Sequence, residues 1–249
     1  MSEIFRQQLQ QEFDIPAPVA TWVLLTHFFV LAVPLAVIWA VDVYASQLAF
    51  AHPTMIKLAS AVYIGATAFE VAQNSADRWY LTEATRSVAD LFFNSFMTLA
   101  FCLYTIGFYS NIWMTSVALI LTVLYPLAYI NNHASHRALN GIVVLLGTVS
   151  LFLVTGDPTA FLFLVVNFFA VYLIVLLTQN HAQWLHGWAA FFFGLAFLAW
   201  PWAIVNAANG EPKSWLFVGG VTVAIVGAAA LLTPLMKKMT ATPRVHAKA

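Results

Sequence analysis

Charge is what this sequence has least of: ten Lys or Arg and ten Asp or Glu amount to 8% of 249 residues, against 62% apolar. Soluble domains carry about 25% charged residues, so most of this chain is not built to face water. The two signs cancel to a formal net charge of zero, which removes the electrostatic attraction that nucleic acid binding requires. Cysteine is nearly missing as well. Cys102 is single and lies inside an apolar run, so neither a disulfide framework nor a thiolate metal site is available. Short, strictly alternating segments are absent, which excludes an outer-membrane barrel. The first apolar run extends from about Ala20 to Val43 without a small-residue cleavage site; it is longer than a signal-peptide core and reads as a retained span.

What the chain does contain is apolar runs that approach or exceed the ~20 residues needed to cross ~30 Å of hydrocarbon as a helix. A backbone in lipid must satisfy its own hydrogen bonds, which leaves helices. The expected fold class is therefore all-α, a polytopic integral membrane bundle of about eight transmembrane helices. Hydropathy and the Pro, Gly and Asn breaks place them near 20–43, 54–73, 87–108, 112–130, 139–155, 159–179, 187–206 and 214–235. Turns are expected at Ala51-His52-Pro53, Tyr109-Ser110-Asn111, Gly156-Asp157-Pro158 and Asn209-Gly210-Glu211-Pro212.

This divides the chain into an N-terminal segment 1–19, a single transmembrane domain 20–235 and a basic tail 236–249. Ile4, Phe5, Leu9 and Phe13 among polar residues suit an amphipathic helix lying at the membrane surface. Arg6, Arg78, Arg86, Arg137, Lys237, Lys238, Arg244 and Lys248 fall on the side shared by both termini, and only Lys57 and Lys213 fall opposite. The excess of positive charge makes both termini cytoplasmic. Gly220, Ala224 and Ala228 give the last span a small-residue face suited to close helix packing, which leaves room for a homo-oligomer.

Three even-numbered spans end in similar polar words: Gln73-Asn74-Ser75-Ala76-Asp77-Arg78, Asn131-Asn132-His133-Ala134-Ser135-His136-Arg137 and Gln179-Asn180-His181-Ala182-Gln183-Trp184-Leu185-His186. The topology puts all three boxes on the cytoplasmic side. Polar residues lead up to them at helical spacing. Tyr63, Thr67, Glu70, Asn74 and Asp77 share a face of the second span, and Thr122, Tyr125, Tyr129, Asn132 and His136 one of the fourth. Asn167, Thr178 and His181 repeat this sparsely on the sixth. A carboxylate near the bilayer centre costs ~3 kcal/mol on insertion scales, so Glu70 is expected to face protein or water. Asp90, Asn94 and His27 are close enough to the same region to reach it, without a role that spacing assigns.

Neutral imidazoles with carboxylates suit zinc or non-haem iron. The candidate metal ligands are His133, His136, His181 and His186; Glu70 and Asp77 are candidate catalytic carboxylates; Asn74, Asn132 and Asn180 are candidate orienting groups; Arg78 and Arg137 are candidate contacts to an anionic substrate. Plain helix capping by Asn and His also accounts for a polar box, although it requires neither Glu70 nor a second histidine. Trp79, Trp184 and Trp188 fit headgroup level without any ligand.

The element His181-Ala182-Gln183-Trp184-Leu185-His186 resembles the His-Ala-x-Trp-His element of the alkaline ceramidase and progestin-receptor-like membrane hydrolases. The likeness covers six residues with one inserted, and this chain lacks the family's Ser and His one turn apart on an earlier span. It implies zinc held among helices and hydrolysis of a lipid amide. The repeated boxes also suggest three related helical hairpins followed by a final one.

The expected function is a membrane-embedded, metal-dependent enzyme acting on a membrane lipid or another hydrophobic small molecule at the cytoplasmic end, with hydrolysis ahead of oxidation. The cofactor expected is a divalent metal, zinc or iron. A proton-coupled transporter or channel using Glu70 and the histidines as relay groups is the alternative from another class. A non-catalytic membrane assembly subunit is the third.

Overall fold

The computed structural model describes residues 17–74, 83–131, 136–162, 164 and 199–210, without the side chains of 17–30, 70–74, 83–87, 136–138 and 140. Every regular element among the described residues is an α-helix: α1 (Ala17–Tyr44), α2 (Pro53–Asn74), α3 (Glu83–Phe108), α4 (Ile112–Ile130) and α5 (His136–Thr155). A further helical stretch covers 199–209. The sixth expected span beyond residue 164, the seventh up to residue 198, the eighth, the N-terminal segment up to residue 16 and the basic tail lie outside the described residues.

Two of the helices contain stretches long and apolar enough to cross a membrane, Val88–Phe108 and Ile112–Ile130. Leu31–Tyr44 and Gly141–Thr155 are apolar but shorter. Several helices start before their apolar runs do. α1 begins at Ala17 rather than 20, α3 at Glu83 rather than 87, and α5 at His136 rather than 139. Hydropathy marks the hydrocarbon-facing part, whereas the backbone ladder continues for as long as each N–H finds its carbonyl.

The expected turns are chemically explicit. Pro53 opens α2, where its missing N–H costs nothing. Asn111 caps α4, its side chain accepting from Trp113 N at 2.9 Å. Gly156, with φ +65°, ends α5 in the left-handed conformation that glycine adopts without strain. Pro34 and Pro126 nonetheless sit inside α1 and α4.

α3 is the hub: it packs against α2, α4 and α5, while α1 packs on α2. At one end of the bundle the loops interlock. Ala51 N and His52 N donate to the carbonyls of Phe108 and Gly107 at 3.2 and 2.9 Å, and Lys57 pairs with Asp42 across the α1–α2 turn. The lysine expected on the non-cytoplasmic side thus carries a counter-ion. At the same end Asp157 accepts from Thr159 N at 2.8 Å and from Asn206 Nδ2 at 3.2 Å, stapling the turn after α5 to the 199–209 helix. Asp157→Ala removes both acceptors from a buried turn and is expected to cost about 2 kcal/mol. Thermal unfolding in detergent reads this, and Asp157→Asn, which keeps one acceptor, should lose less.

An aromatic cluster fills the interior near this end. Trp200 meets Phe101, Tyr104 and Phe108 edge-on with ring centroids 5.6, 5.2 and 5.5 Å apart, and Phe50 packs on Phe108 at 6.0 Å. Tyr104 is fully buried among these rings, and its hydroxyl lies 2.8 Å from Ser60 Oγ. Ser60 in turn donates to Ile56 O at 3.0 Å, so the phenol donates and no oxygen in this chain of bonds is left over.

Candidate functional site

The opposite end of the bundle holds the end of α2, the start of α3, the end of α4 and the start of α5. Of the polar faces expected from helical spacing, Tyr63, Thr67, Tyr125 and Tyr129 are buried, whereas Thr122 is half-buried and donates to Ala118 O of its own helix at 2.8 Å. Tyr125 and Tyr129 are tilted against each other with ring centroids 6.3 Å apart.

Tyr129 donates its hydroxyl hydrogen bond across the α3–α4 seam to Asp90 Oδ2. The other carboxylate oxygen, Oδ1, accepts from Asn94 Nδ2 at 3.0 Å, one turn further along α3, and the same amide reaches the Asp90 carbonyl at 3.0 Å. Each oxygen of Asp90 is therefore fixed by a neutral donor, one from its own helix and one from the neighbour. Asp90 is the only Asp, Glu, Lys or Arg within Val88–Phe108, and such a group inside a span requires protein partners.

Phe69 sets the level of α2 against this constellation. It stacks on Phe92 at 5.4 Å and on Phe96 at 5.6 Å, so the next residue along α2, Glu70, stands at the height of the Asp90–Asn94 turn. Glu70 and Asn74 belong to the last turns of α2, and His136 and Arg137 to the first turn of α5; their side chains lie outside the described residues. Asp77, Arg78, Asn132, His133, Asn180, His181 and His186 also lie outside them. Among the described residues no group of three or more His, Cys, Asp or Glu gathers in a way that would hold a metal ion.

One polar box residue has a structural task. Asn131 caps the C-terminus of α4, with its backbone N–H bonded to Leu127 O at 3.1 Å and its side-chain amide to the same oxygen at 2.9 Å. Asp90 and Asn94, in contrast, gain a role that spacing along one helix did not give them. The signal was present in the sequence as a lone carboxylate in an apolar run, but its partner Tyr129 is 39 residues away.

The described geometry defines a class, an all-helical protein with helices able to cross a membrane and an oriented carboxylate at one end of the bundle. No protein-family model, no curated protein and no solved structure matches the chain.

Proposed function

We propose that this chain is an eight-helix integral membrane protein with both termini cytoplasmic, and that it is a metal-dependent enzyme acting on a lipid or other hydrophobic substrate at the cytoplasmic end of the bundle. The observation that carries this reading is the one-sidedness of the interior. A carboxylate held by two side-chain donors lies at the end where α2 and α4 lead into the first two polar boxes, and the other end is filled by Phe50, Phe101, Tyr104, Phe108 and Trp200. A proton relay needs titratable groups leading onward through the bundle. Between Asp90 and the far-end turns the buried polar groups among the described residues are hydroxyls, in Ser60, Thr98, Thr105, Thr148 and Ser150, which favours a pocket open at one end over a path through.

His133, His136, His181 and His186 are the proposed ligands, with Asn74, Asn132 and Asn180 orienting them. A divalent ion there supplies Lewis acidity towards a carbonyl or water. Glu70 or Asp77 accepts the proton released by the attacking water. Arg78 and Arg137 hold an anionic part of the substrate, and the aromatic spans wall its apolar part.

The test is elemental analysis of detergent-purified protein. Wild type is expected to retain zinc or iron through purification, His133→Ala and His181→Ala to lose most of it, and His246→Ala, in the charged tail, to keep it. Equal metal in all variants, or none in wild type, defeats the reading and leaves the relay or capping roles in its place.

A further inference from the structure

Among the described side chains the exposed surface is almost without charge. Asp42 and Lys57 are the only exposed Asp, Glu, Lys or Arg there, and they pair with each other. Large apolar side chains, in contrast, stand outward on α1, α3, α4 and α5 alike, among them Leu35, Phe92, Val123 and Leu145. α4 goes furthest. It buries only Ala118, Leu121, Tyr125 and Tyr129, a narrow stripe at spacings of three and four, while Ile120, Val123, Leu127 and Ile130 are 52 to 64% exposed.

Contiguous apolar exposure of this kind marks contact with another protein or with a membrane, and three observations choose between them. A protein interface is a bounded patch, with an aromatic-rich centre inside a polar rim. Here the apolar exposure continues from helix to helix, and the middle of the α4 face is aliphatic. The exposed rings collect at one end instead. Trp39, Trp113 and Trp202 are all the exposed tryptophans among the described residues. Trp113 opens α4 just after the turn from α3, and Trp39 packs edge-on against Tyr44, the last residue of α1, at 6.1 Å. Trp202 lies between Trp200, which meets Phe108, and Asn206, which bonds the turn after α5. One helical turn beyond Trp39 comes the Asp42–Lys57 pair. Aliphatic, then aromatic, then charged is the order of a bilayer from hydrocarbon to headgroup, with the lysine stem able to reach outward. The length agrees as well: the 19 residues of α4 span about 28 Å at ~1.5 Å each, against ~30 Å of hydrocarbon.

We infer that the occupant of this surface is the acyl chains of a phospholipid bilayer, that α4 stands at the edge of the bundle with Ile120, Val123 and Leu127 against them, and that Trp39, Trp113 and Trp202 lie at headgroup level at the end away from Asp90. This rests on the membrane reading above and adds to it which helix meets lipid and where the boundary falls. It is independent of any metal chemistry.

The full-length protein in dioleoylphosphatidylcholine vesicles tests this, with one nitroxide label attached in turn to Trp113→Cys, Ile120→Cys, Val123→Cys and Leu127→Cys. All four positions are exposed, so the label does not enter the core; Cys102 is buried and stays in place, and wild type carried through the same labelling gives the background. Collisions of the label are measured with O2, which concentrates in hydrocarbon, and with a water-soluble nickel chelate. The ratio of O2 to nickel collisions is expected to rise from Trp113→Cys to a maximum at Ile120→Cys and Val123→Cys. Nickel access at Ile120→Cys and Val123→Cys equal to that at Trp113→Cys puts the face in water and overturns both the inference and the membrane reading. Few collisions with either reagent at Ile120→Cys, Val123→Cys and Leu127→Cys mean that protein covers the face, which overturns the inference and spares the membrane reading. A maximum ratio at Trp113→Cys overturns the placement of the boundary.

Discussion

Replacing Gly107 with Ala is expected to force α2 and α3 apart and to cost about 3 kcal/mol, the upper part of the range for overpacking. A Cβ at this position would meet Ile56 Cγ1 at 2.5 Å, Ile56 N at 2.9 Å and His52 O at 3.3 Å. The first contact is a side chain that can rotate, but the other two are backbone. Relief therefore requires the helices to separate, and separation breaks the His52 N to Gly107 O and Ala51 N to Phe108 O bonds that tie the two loops together. On the proposed membrane reading, where apolar burial between helices would gain little, this close backbone approach is itself a principal source of helix association. Gly65→Ala is the matched control. Nothing lies within 4 Å of its would-be Cβ, so the better helix propensity of Ala should leave stability unchanged or raise it by about 0.5–1 kcal/mol. Thermal unfolding of the two variants in the same detergent checks the contrast; equal melting temperatures would mean that the α2–α3 contact is looser than the backbone geometry indicates.

What could be read from the sequence follows the range of the interactions. Turns were legible because they depend on a few neighbouring residues: Pro53 at a helix start, Asn111 as a cap and Gly156 at positive φ are each local chemistry. Inward-facing positions were legible because a helix repeats in register, and Tyr63, Thr67, Tyr125 and Tyr129 are buried as their spacing requires. Helix starts were less so, since Glu83 and His136 extend α3 and α5 into polar sequence that hydropathy discounts. The part of the site with described side chains was the least legible. Asp90 meets Tyr129 across two helices, and Ser60 meets Tyr104 across 44 residues, pairings that are set by helix rotation and height, which no single-helix pattern fixes. Asn131 shows the converse, a residue that stood out as part of a repeated polar word and turns out to satisfy the carbonyl of its own helix.

Trp200→Ala is expected to be the most destabilising truncation among the described core residues, at about 3 kcal/mol, the low end of the range for removing a large aromatic. The low end applies on the proposed membrane reading, in which lipid, unlike water, would not reward burial of the indole and the loss would be of packing contacts and edge-to-face ring geometry. Trp200 is the piece shared by Phe101, Tyr104 and Phe108, and α5 makes room for it with Gly147, whose would-be Cβ lies 3.0 Å from the indole Cη2. That complementarity permits a double-mutant cycle. Gly147→Leu alone should destabilise by driving a side chain into the indole, whereas Gly147→Leu added to Trp200→Ala should refill part of the cavity and raise the melting temperature above that of Trp200→Ala. The coupling is expected to be at least 1 kcal/mol in favour of the pair. Simple additivity of the two losses would mean that Gly147 and Trp200 do not share one packed volume, and the aromatic closure of the far end, on which the one-ended pocket rests, would lose its anchor.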